Sequence, residues 1–268
     1  REDRPVREQQ AQSRDEKLIS SDWKNYGDFI KENSAKGKNL YWSVGKKNNH
    51  LDVHLFVLEQ IYKNYSNFKT KAQMDKFIKN STKKKFPNKT MEGNRALFFS
   101  KLLGFVNEKN KLTLLGVILV NHYKNKKKKI IQDLILQQLE KFVFWNDLFS
   151  LTDRHSGKRD VDELFNIFPL FFVYQVILKL SEFGYNDFYL TKFEINIFLI
   201  FSTKHSDINQ VVNNIIKYRS YNEIYELEKF LKINNRMDSR FYSVLKYSKY
   251  FLFNTKKIAI KKEMINDL

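Results

Sequence analysis

The sequence predicts a mainly α protein with small β hairpins, built as tandem winged helix-turn-helix domains, and three observations carry that expectation. Gly and Pro number only 8 and 3 in 268 residues, too few for a loop-rich or all-β chain, while Leu, Lys, Glu and Gln recur throughout. Apolar residues repeat at helical spacing along much of the chain. A helix followed by a hairpin, read between Arg95 and Leu114, is echoed between Arg240 and Ile260. Placing Arg95 over Arg240 sets Gly104 over Lys249, and one inserted residue then sets Leu112 and Leu114 over Ile258 and Ile260.

The elements follow from local patterning. Residues 1–17, REDRPVREQQAQSRDEK, contain no aromatic residue, and Arg1, Arg4, Arg7, Arg14 and Lys17 are balanced by Glu2, Asp3, Glu8, Asp15 and Glu16. Such a segment has little to bury and reads as disordered or foreign to the rest. The first winged-helix domain is expected over 18–150. YWSVG at 41–45 is strand-like, and HLDVHLFVLEQIYKNY at 50–65 places Leu51, Leu55, Leu58 and Tyr62 at helical spacing. A second helix is expected over 69–80, interrupted by Lys83, Lys84, Lys85 and Pro87. A third runs from about residue 92 to Gly104, which accepts the positive φ of a helix end. Phe105 and Val106, a turn at NEKN (107–110), and Leu112 with Leu114 then form a hairpin, and LLGVILVNHY and IIQDLILQQLEKFVFW add packing helices.

LTDRHSGKRDVD at 151–162 is polar and charged, and reads as a linker. The second domain, 163–268, opens on the apolar helix VDELFNIFPLFFVYQVILKLSEFG, with Pro169 admissible near a first turn or as a kink. TKFE at 191–194 is a capping box. DINQVVNNIIKYR and EIYELEKFLKI are two more helices, and SRFYSVLKYSKYFLFNTKKIAIKK at 239–262 closes as helix and hairpin.

The net charge of +18, from 48 Lys and Arg against 30 Asp and Glu, gives a positive field whose natural partner is a polyanion; the alternative is a compositional excess of Lys, in line with the abundant Asn, Ile, Phe and Tyr. Cys is absent, which excludes disulfides, thiolate metal sites and a cysteine nucleophile. The most apolar stretch, 164–180, is broken by Asn166, Pro169 and Gln175, so no membrane span is expected. No signal-peptide pattern is read, and a cytoplasmic location is the expectation.

The predicted chemistry is recognition of double-stranded DNA. A helix fits the major groove, where Arg bonds guanine and Asn bonds adenine. Asn94, Arg95 and Lys101 on one helix, and Ser239, Arg240, Tyr242, Ser243 and Lys246 on the other, are candidate readers. Lys109 and Lys111 on the first wing and Lys256 and Lys257 on the second suit phosphates. Ser43, Lys46, Lys47, Arg154 and Lys158 complete the DNA-binding candidates. KNKKKK at 124–129 reads equally as a phosphate-attracting run and as a solvated helix start, since like charge there opposes the macrodipole unless an anion is near. His50 and His54 have a metal-ligand spacing without the Glu of the zinc-protease pattern or a third ligand. Asp15-Glu16-Lys17 and Asp22-Trp23-Lys24 have acid-x-Lys spacing without the strand a nuclease needs, and SGK at 156–158 lacks a phosphate loop's earlier glycine. No catalytic or metal residue is therefore expected.

YWSVG, MEGNRALFFSKLLGFVNEKNKLTLLGVILV, PLFFVYQVILKL, YLTKFEINIFLIF and INQVVNNIIKYR, in that order, resemble the DNA-recognition region of AlwI-type type IIS restriction and nicking endonucleases across about residues 41–260. The most specific part is 169–219, a Pro-led apolar helix, a Leu-Thr-Lys-x-Glu helix start and a terminal Tyr-Arg. The resemblance implies tandem winged-helix subdomains reading an asymmetric duplex site, in a parent type II site-specific deoxyribonuclease whose Mg²⁺-dependent nuclease domain is separate or deleted from this chain. No cofactor is then expected in the residues read here. The rivals are a plasmid-type replication initiator or transcription regulator with tandem winged helices, an intact endonuclease, and a protein-interaction module.

Overall fold

Helix ends are set by caps and by where apolar periodicity stops. The computed structural model describes residues 19–35, 42, 50–89, 93–143, 165–185, 187–235 and 241–265. The helices are α1 (Ser21–Asn33), α2 (Leu51–Asn64), α3 (Lys71–Lys85), α4 (Gly93–Leu102), α5 (Leu114–Lys124), α6 (Lys128–Glu140), α7 (Pro169–Ser181), α8 (Ile208–Arg219), α9 (Ile224–Asn234) and α10 (Phe241–Val244). Strands β1 (Tyr189–Thr191), β2 (Phe251–Phe253) and β3 (Lys257–Ile260) make one antiparallel sheet in the order β1-β3-β2. The mainly helical class with a small β component is as expected.

In the first half, α2 buries Val53, Leu55, Phe56, Val57, Leu58 and Ile61 and packs on α4 and α5. Helix α3 starts where the Thr70 hydroxyl accepts the Gln73 N–H at 3.2 Å. It continues through Lys83–Lys85 instead of stopping before them, because lysines in a last turn face the negative end of the helix dipole. Helix α4 ends at Leu102, just ahead of the predicted Gly104, whose φ of 72° lets the Phe105 N–H reach the Ser100 carbonyl at 2.8 Å.

The first hairpin is smaller than predicted. It has one antiparallel bridge, Val106 to Leu112, and Leu114 belongs to α5. The Thr113 hydroxyl accepts the Gly116 N–H at 3.1 Å and so caps that helix before a second strand can extend.

The second half follows the reading more closely. Pro169 occupies the first turn of α7, whose Phe172, Val173, Val176 and Ile177 are fully buried. The predicted capping box is present: the Thr191 hydroxyl accepts the Glu194 N–H at 3.1 Å, and the Glu194 carboxylate accepts the Thr191 N–H at 2.7 Å. The turn Lys192–Glu194 it starts passes directly into a π-turn, Ile195–Leu199. Ile258 of β3 pairs with Leu190 on one side and Phe253 on the other.

The halves share a core. Tyr26 of α1 donates to the Ile197 carbonyl at 2.8 Å, and Trp42 donates from its backbone to Ile200 and from Nε1 to Ser202, both at 2.8 Å. Residues ahead of the expected linker are thus built into the half that follows it. Phe99 of α4 meets Tyr247 at 5.5 Å between ring centroids, and Tyr250 donates to the Glu140 carboxylate on α6. Residues 1–17, 151–162 and 41–45 apart from Trp42 lie outside the described residues. No described helix is long and apolar enough to cross a membrane.

Candidate nucleic-acid interface

The first candidate surface is the loop 107–111. Its tip is held by short-range bonds: Asn107 N–H to the Lys111 carbonyl at 2.9 Å, Lys111 N–H to Asn107 Oδ1 at 2.9 Å, and Asn110 at a φ of 62° that asparagine tolerates better than most residues. Lys109 and Lys111 are exposed there. Tyr65 braces them, donating to the Lys109 carbonyl at 3.4 Å and carrying the Lys111 ammonium 5.4 Å from its ring centroid. Lys101 stands under this loop and not on its front. It is half-buried and donates to the Glu108 carbonyl at 3.4 Å; burial, then repulsion from Lys71, lowers its pKa.

The second surface is the β2–β3 hairpin. Asn254 Oδ1 accepts the N–H groups of Lys256 at 2.8 Å and Lys257 at 2.7 Å, which forms the tip and leaves both lysines exposed. Behind the tip lies a cation and ring array: Lys257 is 4.8 Å from the Tyr189 centroid, and the Arg219 guanidinium is 4.7 Å from Tyr189 and 4.9 Å from Tyr185. Arg219 is locked to Glu194, the only buried carboxylate among the described residues. Tyr185, Tyr189, Glu194 and Arg219 line a cleft of about 330 Å³ that also includes Asp187, Tyr218 and Ile224. Of this array, sequence reasoning marks Lys257 alone as a site residue and reads Thr191 and Glu194 as a capping box; Tyr185, Tyr189 and Arg219 are not marked. The signal is present as the Thr-Lys-x-Glu start and the terminal Tyr-Arg, but their meeting needs the sheet.

The other predicted residues are placed unevenly. Tyr242 is 3% exposed and donates to the Asn254 carbonyl at 2.7 Å, so it supports the hairpin tip from inside instead of offering a surface to a ligand. Ser243 is half-buried, and Lys246 is exposed with its ammonium 4.9 Å from the Tyr247 centroid. Asn94 and Arg95 lie in the first turn of α4. Ser43, Lys46, Lys47, Arg154, Lys158, Ser239 and Arg240 lie outside the described residues. The contact between Phe99 and Tyr247 brings α4 and the 241–247 segment side by side, a juxtaposition of the two predicted reading elements that sequence could not supply.

The described residues do not fit a Mg²⁺ centre. Among the described residues no three His, Asp or Glu side chains converge, and both oxygens of Glu194 are taken by Arg219. His54 is 2% exposed and its Nδ1 donates to the Ala96 carbonyl at 2.9 Å, a packing role between α2 and α4. Asp22 and Lys24 are on a helix, α1. No metal-dependent step is assigned to these groups.

Among curated proteins, none matches the chain. The family model described as AlwI restriction endonuclease matches residues 101–261, more than half the chain, beginning at the end of α4 and taking in the loop 107–111, the Arg219 array and the whole sheet. The chain belongs to the AlwI restriction endonuclease family.

Proposed function

We propose that these residues are the target-reading part of a type II restriction enzyme, binding double-stranded DNA sequence-specifically through two winged helix-turn-helix units. Strand cleavage and its Mg²⁺ belong, in this reading, to other residues of the enzyme. The observation that carries it is the pair of lysine-tipped loops, 107–111 and 254–257, each braced by a tyrosine and each next to a short helix with polar residues. The order helix, strand, helices, hairpin, with the hairpin's return strand in the middle of the sheet, supports a wing in the second half. Helices α2, α3 and α4 with the loop that follows support a smaller one in the first. The family match favours restriction over replication initiation or transcriptional control.

Asn94 and Arg95 on one unit, and Ser239, Arg240, Ser243 and Lys246 on the other, read base edges. Lys109, Lys111, Lys256 and Lys257 grip phosphates, joined by Ser43, Lys46, Lys47, Arg154 and Lys158. Lys101 and Tyr242 hold the loops that present them. Titration of labelled duplex DNA with the full chain tests this by fluorescence anisotropy. With six or more phosphate contacts, affinity falls about a thousandfold or more between about 50 and 200 mM salt. K109Q/K111Q and K256Q/K257Q each weaken binding. Affinity that is flat with salt and indifferent to both double substitutions would overturn the reading.

A further inference from the structure

Lys124, Lys126, Lys127, Lys128 and Lys129 take no part in the two units above, yet all five are exposed. Among the described residues none has a carboxylate within ion-pair distance; Glu59, on the adjoining helix α2, is already held by Lys63 at 2.6 Å. They crowd the corner between α5 and α6, where α6 starts with no acidic residue in its first turn. Lys126 to Lys129, four successive cations at the positive start of α6, repel one another and the dipole, while Lys124 closes the last turn of α5. No ion pair among the described residues relieves that repulsion.

The corner's position says what would. Lys124 holds its ammonium 4.3 Å from the Tyr62 ring centroid, and Lys111 holds its own 5.4 Å from Tyr65. Tyr62 and Tyr65 are three residues apart where α2 ends, a spacing that places side chains on one face. The lysine corner and the loop 107–111 therefore lie along one edge, joined by two tyrosines that each carry a lysine.

We propose that Lys124 and Lys126 to Lys129 extend the loop 107–111 into one continuous track for the phosphodiester backbone of duplex DNA flanking the target. The inference rests on the DNA-binding reading above. A track whose five cations are all lysines, with no Arg among them, suits a uniform row of phosphates and carries no base preference. An acidic protein surface is the competing occupant, and the test separates the two.

The full chain carrying K126Q/K127Q/K128Q/K129Q is titrated with mixed-sequence duplex DNA, and with the duplex enriched from a random pool, across a salt series. The salt slope is expected to become shallower by about 2 to 3, at about 0.9 for each phosphate that is no longer neutralised. Affinity drops equally for both duplexes, so their ratio is unchanged, and the Lys→Arg version at the same four positions restores the slope. The melting temperature without DNA stays the same or rises, because the repulsion at the start of α6 is relieved, which separates a weaker grip on DNA from a failure to fold. An unchanged slope in a chain that still binds DNA overturns the track, as an acidic protein partner would require, and leaves the DNA reading standing. A changed ratio overturns it as well, since the lysines would then be reading bases. Wild-type chain that binds no duplex removes the DNA reading itself.

Discussion

Arg219 grips Glu194 with two hydrogen bonds, Nε to Oε1 at 2.7 Å and Nη2 to Oε2 at 3.0 Å, at side-chain exposures of 11% and 1%. Nη2 also donates to the Tyr189 carbonyl at 3.0 Å, so one side chain joins α8, the capping box and β1. Burial opposes the Arg219 charge, but the hydrogen bonds and negative charge of Glu194 outweigh it and raise its pKa above the ordinary value. Arg219→Leu strands a buried carboxylate and is expected to cost about 3–5 kcal/mol in urea unfolding. Arg219→Lys keeps the charge without the fork and falls between. Because Tyr189 also carries Lys257, the Lys variant weakens DNA binding more than its modest loss of stability explains.

Gly116 sits where two segments touch. A Cβ there would lie 2.1 Å from the Phe105 carbonyl oxygen, a backbone atom that cannot rotate away. Gly184 provides the contrast, with nothing within 4 Å of its Cβ position but a φ of 86°. Gly184→Ala is expected to cost about 1 kcal/mol of backbone strain. Gly116→Ala should exceed about 3 kcal/mol, since α5 must separate from the loop before it. Thermal unfolding of the two variants ranks them.

His205 supplies a pH dependence. Its Nε2 accepts the Phe168 N–H at 3.2 Å, which leaves Nδ1 protonated and donating to Gln175 Oε1 at 3.1 Å. That neutral tautomer fastens the start of α7, and burial among Phe168 and Phe172 lowers the ring's pKa. The unfolded chain therefore takes up the proton first, so the stability present above about pH 6.5 declines as pH falls through the folded value. Unfolding free energy measured between about pH 7.5 and pH 5 is expected to drop, and His205→Gln to flatten that drop.

What can be read from sequence divides along the range of the forces involved. Leu51, Leu55 and Leu58 announce α2, Thr191 with Glu194 announces its cap, and Pro169 opens α7, because each signal lies within one or two turns. Leu112 and Leu114 alternate like strand residues, but Thr113 between them caps a helix, and its bond to the Gly116 amide decides the outcome. Helix α1 escapes a sequence reading although Trp23, Tyr26 and Ile30 share a helical face; their partners, Phe198 and Ile197, are some 170 residues away. Tyr242 resembles a reading residue beside Arg240, yet its hydroxyl is spent on Asn254 across the hairpin it supports. The lysine tips are legible as charge; the tyrosines that brace them become so only with the fold.

Removing the Tyr242 hydroxyl separates support from contact. Tyr242→Phe loses one hydrogen bond and is expected to cost about 1 kcal/mol in stability, with the buried ring still packed on Phe253 at 5.0 Å. If the tyrosine only supports the tip, the sequence preference of DNA binding is unchanged while affinity falls modestly. A changed base preference would make it a reader after all.

The central claim is sequence-specific recognition of duplex DNA, and selection from a random-sequence duplex pool with the full chain measures it most directly. One motif without two-fold symmetry is expected to be enriched, since the two units differ in helix length, in sheet content and in their candidate readers. A pool that remains random after repeated rounds, although the chain retains DNA at low salt, would contradict it.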